Sequence, residues 1–151
     1  MLKLITICLL TLTFACGDKG EDSGAAANEH DHSGHHGDTD LPDDFDPATE
    51  HTSSTGITVS YTTDPSPIPE STEFSVTFSL SGGTMTEADA TMPSHGGHGM
   101  PVAPVLNDNG DGTYTAAPFE FQMPGYWVIH ATVRDDNGTE ERVDFEVDCC
   151  E

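Results

Sequence analysis

The sequence predicts an all-β protein: an immunoglobulin-like antiparallel β-sandwich of six or seven strands over residues 56–148. Three observations carry this. Apolar residues recur with period two from Gly56 onward. Clusters of Gly, Pro, Asn and Asp separate these runs at short intervals. No segment sustains the 3.6-residue period of an amphipathic helix.

The elements follow in order. Ile57, Val59 and Tyr61 alternate with Thr58, Ser60 and Thr62 in a first strand. Pro65, Pro67 and Pro69 then interrupt the chain, because proline cannot donate to a strand ladder. Phe74, Val76, Phe78 and Leu80 share one face of the next run. Asn109-Gly110-Asp111-Gly112 marks a tight turn before Thr113-Tyr114-Thr115. Trp127, Ile129, Ala131 and Val133 line one face of a long strand, and Val143, Phe145 and Val147 line the last. Asn137-Gly138 between those two is a strong hairpin signal. Roughly 95 residues so patterned make one sandwich, with no internal repeat and no second domain.

The N-terminus sets the compartment. Lys3 precedes an apolar run from Leu4 to Ala15, the length of a signal-peptide core and too short to span a bilayer as a helix. It ends at Leu12-Thr13-Phe14-Ala15-Cys16-Gly17, which resembles a bacterial lipoprotein signal with Thr13 where leucine is commoner. The expectation is a signal peptide over 1–15, with Cys16 as the lipidated first mature residue and the membrane as a partner through that lipid. An ordinary secretory signal cleaved nearby is the alternative. Gly17, rather than aspartate, follows the cysteine, which favours the outer membrane.

Residues 16–55 read as a disordered acidic, His-rich tether. From residue 17 they hold eleven acids, one lysine and few large apolar side chains, so burial does not offset the entropy of ordering them. Such a chain reaches roughly 35 Å, further when extended by charge repulsion. His30, His32, His35 and His36 lie within it, as a weak metal-collecting tract or as a polar spacer that contains histidine. The whole chain carries 27 acidic against 4 basic residues, a net charge of −23. That charge repels phosphate backbones and anionic lipid surfaces, so nucleic-acid binding is a poor hypothesis, and it concentrates cations.

One segment points to chemistry. Met92-Pro93-Ser94-His95-Gly96-Gly97-His98-Gly99-Met100 places two imidazoles and two thioethers close together, separated mainly by glycine. Its glycines and prolines exclude a regular helix, and they allow the backbone to curl so that His95 and His98 face one ion. Met92 and Met100 would add sulfur, and so would Met123 if the loops of one sandwich end meet. A His and Met set suits copper: Cu(I) with the thioethers, Cu(II) with the nitrogens plus water or carboxylate. Zinc would use the histidines, since methionine is a poor zinc ligand. Imidazole binds when neutral, so affinity would fall below about pH 6. The competing reading is a mobile loop in which Met92 completes a strand and Met123 is core. His130 falls opposite Trp127 and Ile129 and reads as a surface histidine.

The order Met92-Pro93, His95-Gly96-Gly97-His98-Gly99, Asp111-Gly112-Thr113-Tyr114 and Phe121-Gln122-Met123-Pro124-Gly125-Tyr126-Trp127 resembles the YtkA-like family, related to FixH-type proteins. The resemblance spans roughly residues 56–148. It implies a small extracytoplasmic β-sandwich, often membrane-anchored and found alongside copper handling or cytochrome oxidase assembly. His95, the acidic tether and Cys149-Cys150 are not features of that pattern.

Residues 149–151 read as a C-terminal tail. Its adjacent cysteines admit a vicinal disulfide, an intermolecular bridge, a soft-metal site or a redox pair. Asn107–Gly112 is a poor calcium loop, because the twelfth position is Pro118 where a bidentate glutamate is needed. No Gly-x-Ser-x-Gly elbow or phosphate loop is present, and Ser94 beside His95 is not a triad. The expectation is a non-enzymatic, lipid-anchored envelope protein that binds or delivers copper. The alternative is an immunoglobulin-like module that docks an envelope protein partner.

Overall fold

A computed structural model describes residues 41–150 of the chain. The signal segment, Cys16 and the tether histidines His30, His32, His35 and His36 lie outside the described residues. The strands are β1 (Glu50–Thr52), β2 (Thr58–Asp64), β3 (Phe74–Leu80), β4 (Thr84–Met92), β5 (His98–Gly99), β6 (Val105–Asp108), β7 (Thr113–Phe119), β8 (Gly125–Arg134) and β9 (Glu140–Cys149). They form a five-stranded sheet, β1-β2-β3-β7-β6, and a four-stranded sheet, β5-β4-β8-β9. Every pairing between these strands is antiparallel. Without β1 and β5, the order β2-β3-β7-β6 against β4-β8-β9 is the ABED and CFG arrangement of an immunoglobulin sandwich.

The core lies between the sheets. Val59, Phe74, Val76, Phe78, Ala116 and Phe119 enter from one side. Ala90, Met92, Trp127, Ile129, Ala131, Val133 and Phe145 enter from the other. Period-two patterning produces this directly, because alternate side chains of each strand face the opposite sheet. Phe121, in the β7–β8 connection, stacks on Trp127 with ring centroids 4.4 Å apart and sets its edge to Phe74 at 5.1 Å. The Trp127 indole N–H donates to the Met123 carbonyl at 2.9 Å, so the largest core side chain buries no unpaired donor.

Three expectations change. Among the described residues there are nine strands rather than six or seven. β1 and β5 are too short to show a period, and β4 hides its own. A bulge between Met85 and Glu87 shifts the inward set to Met85, Ala88, Ala90 and Met92. The folded region also begins before residue 56. Within the stretch assigned to the tether, β1 pairs with β2, and Phe45 meets Tyr126 edge-on at 6.2 Å. There, too, the Asp46 N–H donates to Glu146 at 2.7 Å, and the His51 ring lies 5.2 Å from that of Phe145. Composition could not show this, since the contacts of Phe45, Asp46 and His51 with β8 and β9 join residues roughly 80 to 100 positions apart. Lastly, Cys149 is not in a tail: it ends β9 and is 3% exposed, inside the core.

Candidate functional site

Strand direction and register gather the predicted site residues at one end of the sandwich. β4 runs out at Met92, β8 enters at Gly125, and β9 finishes at Cys149, which is the direct partner of Gly125. Past Met92, Pro93–His95 makes a single 3-10 turn that lies against β8. Gly96 then adopts φ 72°, donating its N–H to the Pro93 carbonyl at 3.2 Å, and Gly97 follows at φ 76°. Two successive left-handed residues turn the chain back on itself, a geometry costly for any residue with a β-carbon. β5 therefore returns alongside β4, with His98 opposite Met92 and Gly99 opposite Thr91. The curl expected from the glycines is present, built as a narrow ribbon at the sheet edge.

The five expected ligands do not form one set. His95 and His98 are exposed on the ribbon. Met92 is 2% exposed and belongs to the core. This is a correction: Met92 completes β4 and points inward, because the bulge phases β4 so that position 92 faces the opposite sheet. Met100 and Met123 are partly buried and pack against the core from its rim. Among the described residues, no three or more of His, Cys, Asp and Glu converge to hold an ion. The exposed nitrogens are thus parted from the buried Met92 thioether, which is turned away from solvent.

Two features were hidden from the linear sequence. The Met92 methyl group sits 3.2 Å from where a β-carbon on Gly125 would be, and Gly125 has φ 122°. The bare glycine thus gives the Met92 methyl room that a side chain would fill. Cys149 and Cys150 are joined in a disulfide beside Pro67 and Ile68.

The second feature is on the outer face of the four-stranded sheet. His130 stands in register between Asp89 of β4 and Asp144 of β9. Its side chain is 12% exposed. Nδ1 donates to the Asp144 carboxylate at 2.8 Å, and Nε2 lies 2.8 Å from the Thr91 hydroxyl. A carboxylate only accepts, so Nδ1 carries a proton, and Nε2 shares a hydrogen bond with the Thr91 hydroxyl. Arg142 holds the same carboxylate at 2.9 Å. Hydroxyl, imidazole and carboxylate are connected as in a nucleophile relay. Thr91, however, sits inside the ladder between Gly99 and Val128, where backbone amides serve strand pairing rather than a substrate oxyanion. Both His130 nitrogens are thus engaged by protein side chains. Alternation alone placed His130 on this face but could not show its partners.

Next to Gly125, the Tyr126 hydroxyl donates to Glu146 at 2.8 Å. Burial, that hydrogen bond and the charges of Glu146, Asp44 and Asp144 push its pKa up to about 12. The neighbourhood is strongly anionic, with Glu120 and Asp148 at the same end. No protein-family model, curated protein or solved structure matches the chain.

Proposed function

We propose that this chain is a lipid-anchored cell-envelope protein that binds copper at the His95/His98 ribbon, for capture or delivery rather than catalysis. One observation carries the reading. Gly96 and Gly97 hold a turn that presents two solvent-exposed imidazoles on a ribbon paired to the sheet, at the end of the sandwich where Met100 and Met123 lie partly buried. Cu(I) takes such a mixture of imidazole nitrogen and thioether sulfur. The net charge of −23 raises the local concentration of cations. The tether histidines His30, His32, His35 and His36 would capture ions weakly and hand them to the ribbon at high effective concentration. The motif resemblance to the YtkA-like family, the lipid on Cys16 and an outer-membrane location belong to the same proposal.

The test is a Cu(I) competition titration of the full chain, purified in detergent, against a chromophoric chelator. One ion should bind tightly to the wild type and not to a His95→Ala, His98→Ala variant. Equal binding by both proteins rejects the ribbon as the site.

A second reading rests on Val102, just before edge strand β6, and Val105, its first residue, which are 48% and 63% exposed. Large apolar side chains at a sheet edge suit a docking contact with an envelope partner. That reading requires no metal, so the same titration separates the two.

A further inference from the structure

Edge strand β6 has a free side, and its hydrogen-bond pattern shows which backbone groups lie there. The Asn109 N–H donates to the Thr113 carbonyl at 3.0 Å, which closes the β6–β7 hairpin. In the register that follows, Asn107 faces Thr115 and Val105 faces Ala117. Hydrogen-bonded and non-hydrogen-bonded pairs alternate in an antiparallel ladder, so Asn107 and Val105 turn their N–H and C=O groups to β7. Leu106 and Asp108 therefore turn theirs outward, where no strand of the described residues continues the sheet. Side chains alternate as well: Leu106 packs against the core, and Val105 stands on the other face. Val105 and nearby Val102 are the exposed large apolar side chains of the described residues. The other edges are guarded. Along β9, the Glu141 carboxylate accepts from the Ser54 and Thr55 N–H groups at 2.8 and 3.2 Å, and Glu146 accepts from the Asp46 N–H. β4 carries its bulge, and β1 and β5 are three and two residues long. β6, at four residues, has neither a strap nor a bulge.

Charge selects the occupant. The described residues include two arginines and no lysine. Arg134 and Arg142 both lie in the other sheet, each held by a carboxylate, Glu140 and Asp144. Asp108 ends β6 and Asp111 stands in the turn after it, with no lysine or arginine in their own sheet to balance them. A second copy of the chain brings the same net charge of −23 and is repelled, whereas a cationic segment is attracted. We propose that β6 is a strand-addition site for a basic segment of a partner protein. The segment lies extended along β6, its backbone pairing with the outward N–H and C=O groups of Leu106 and Asp108. Its alternate apolar side chains rest on Val105 and Val102, and lysine or arginine at its ends answers Asp108 and Asp111. The inference rests on the docking reading above, whose site and partner chemistry it names, and it needs no copper.

The experiment follows amide hydrogen exchange by NMR in the full chain, in detergent, with three short synthetic peptides at up to millimolar concentration. The first alternates valine and threonine between pairs of lysines. The second replaces those lysines with glutamates. The third keeps the lysines and puts proline at the threonine positions, which removes backbone donors. The first peptide should slow exchange at the Leu106 and Asp108 amides about tenfold or more, and the other two should leave it unchanged. Salt at about 1 M, where charges are screened within about 3 Å, should weaken that protection. Val102→Ser, Val105→Ser should weaken binding of the first peptide about tenfold. No protection at Leu106 and Asp108 overturns the site, and equal protection by the glutamate peptide overturns the basic partner. Both comparisons use the wild type, so a misfolded variant leaves the test intact. Protection of those amides without peptide, growing with protein concentration, assigns the edge to a second copy and also overturns the proposal. Protection confined to β4 or β9 removes β6 while the docking reading stands. Protection nowhere removes both, whatever the copper titration gives.

Discussion

Two histidine regions lie a few residues apart in the fold and are built in opposite ways. His130 is caged on a three-stranded row. Its nitrogens are taken by Thr91 and Asp144, and Arg142 secures the carboxylate. His95 and His98 stand exposed on a ribbon whose backbone, not its side chains, is what the fold holds in place. The difference teaches that a histidine's chemistry here depends on what the neighbouring strand offers. A ring whose hydrogen bonds are satisfied within the sheet contributes structure. A ring carried on a glycine turn past the sheet edge remains open to a ligand.

Four measurements break or sharpen this contrast. The largest effect is expected inside the core beside the ribbon. Met92→Ala should destabilise the fold by about 2–5 kcal/mol in chemical denaturation, as buried methionine truncations do. A surface-like cost under about 0.5 kcal/mol would mean that Met92 is a ribbon residue after all.

Next, the His95→Ala, His98→Ala variant should lose copper affinity by at least about a hundredfold, which corresponds to roughly 2.7 kcal/mol. Its unfolding free energy should stay within about 0.5 kcal/mol of wild type, since both rings are exposed. A large loss of stability would show that the ribbon histidines are structural.

His130→Ala should show the reverse pattern. Removing the ring strands Thr91 and Asp144 on a partly covered face and should cost about 1–3 kcal/mol, with copper affinity unchanged. Loss of copper binding without loss of stability would make the row the metal site instead.

The smallest effect concerns pH. Folding raises the Tyr126 pKa from 10 to about 12, so the folded state favours the protonated phenol. The associated stability is fully present below pH 10 and is lost as pH rises from 10 toward 12. Wild type should therefore destabilise over that window, and Tyr126→Phe should flatten the dependence. An unchanged slope in the variant would remove Tyr126 and its Glu146 contact as the cause.

The ease of reading each part from sequence follows its physics. Strands β2, β3, β8 and β9 were plain because each carries apolar side chains at alternate positions along most of its seven to ten residues. β4 was not, because its bulge breaks the period and two of its inward residues are alanines. β1 was concealed by an acidic, polar composition that matches a tether, although its partners hold it to the domain. For the candidate site, the residue types and the turning glycines were visible. The division of the donors was not. Whether Met92 joins the histidines or turns away from them depends on the phase of one strand, and the bulge sets that phase.

By itself the sequence determined the fold class, the hairpins and the concentration of histidine and methionine in one loop. Those depend on local rules: side-chain alternation, proline and glycine geometry, and composition. Tertiary structure alone decided which donors share a space. It set Met92 against Gly125, tied His130 between Thr91 and Asp144, and left His95 and His98 in solvent. Those neighbours come from cross-strand register between segments tens of residues apart, which local patterning does not encode.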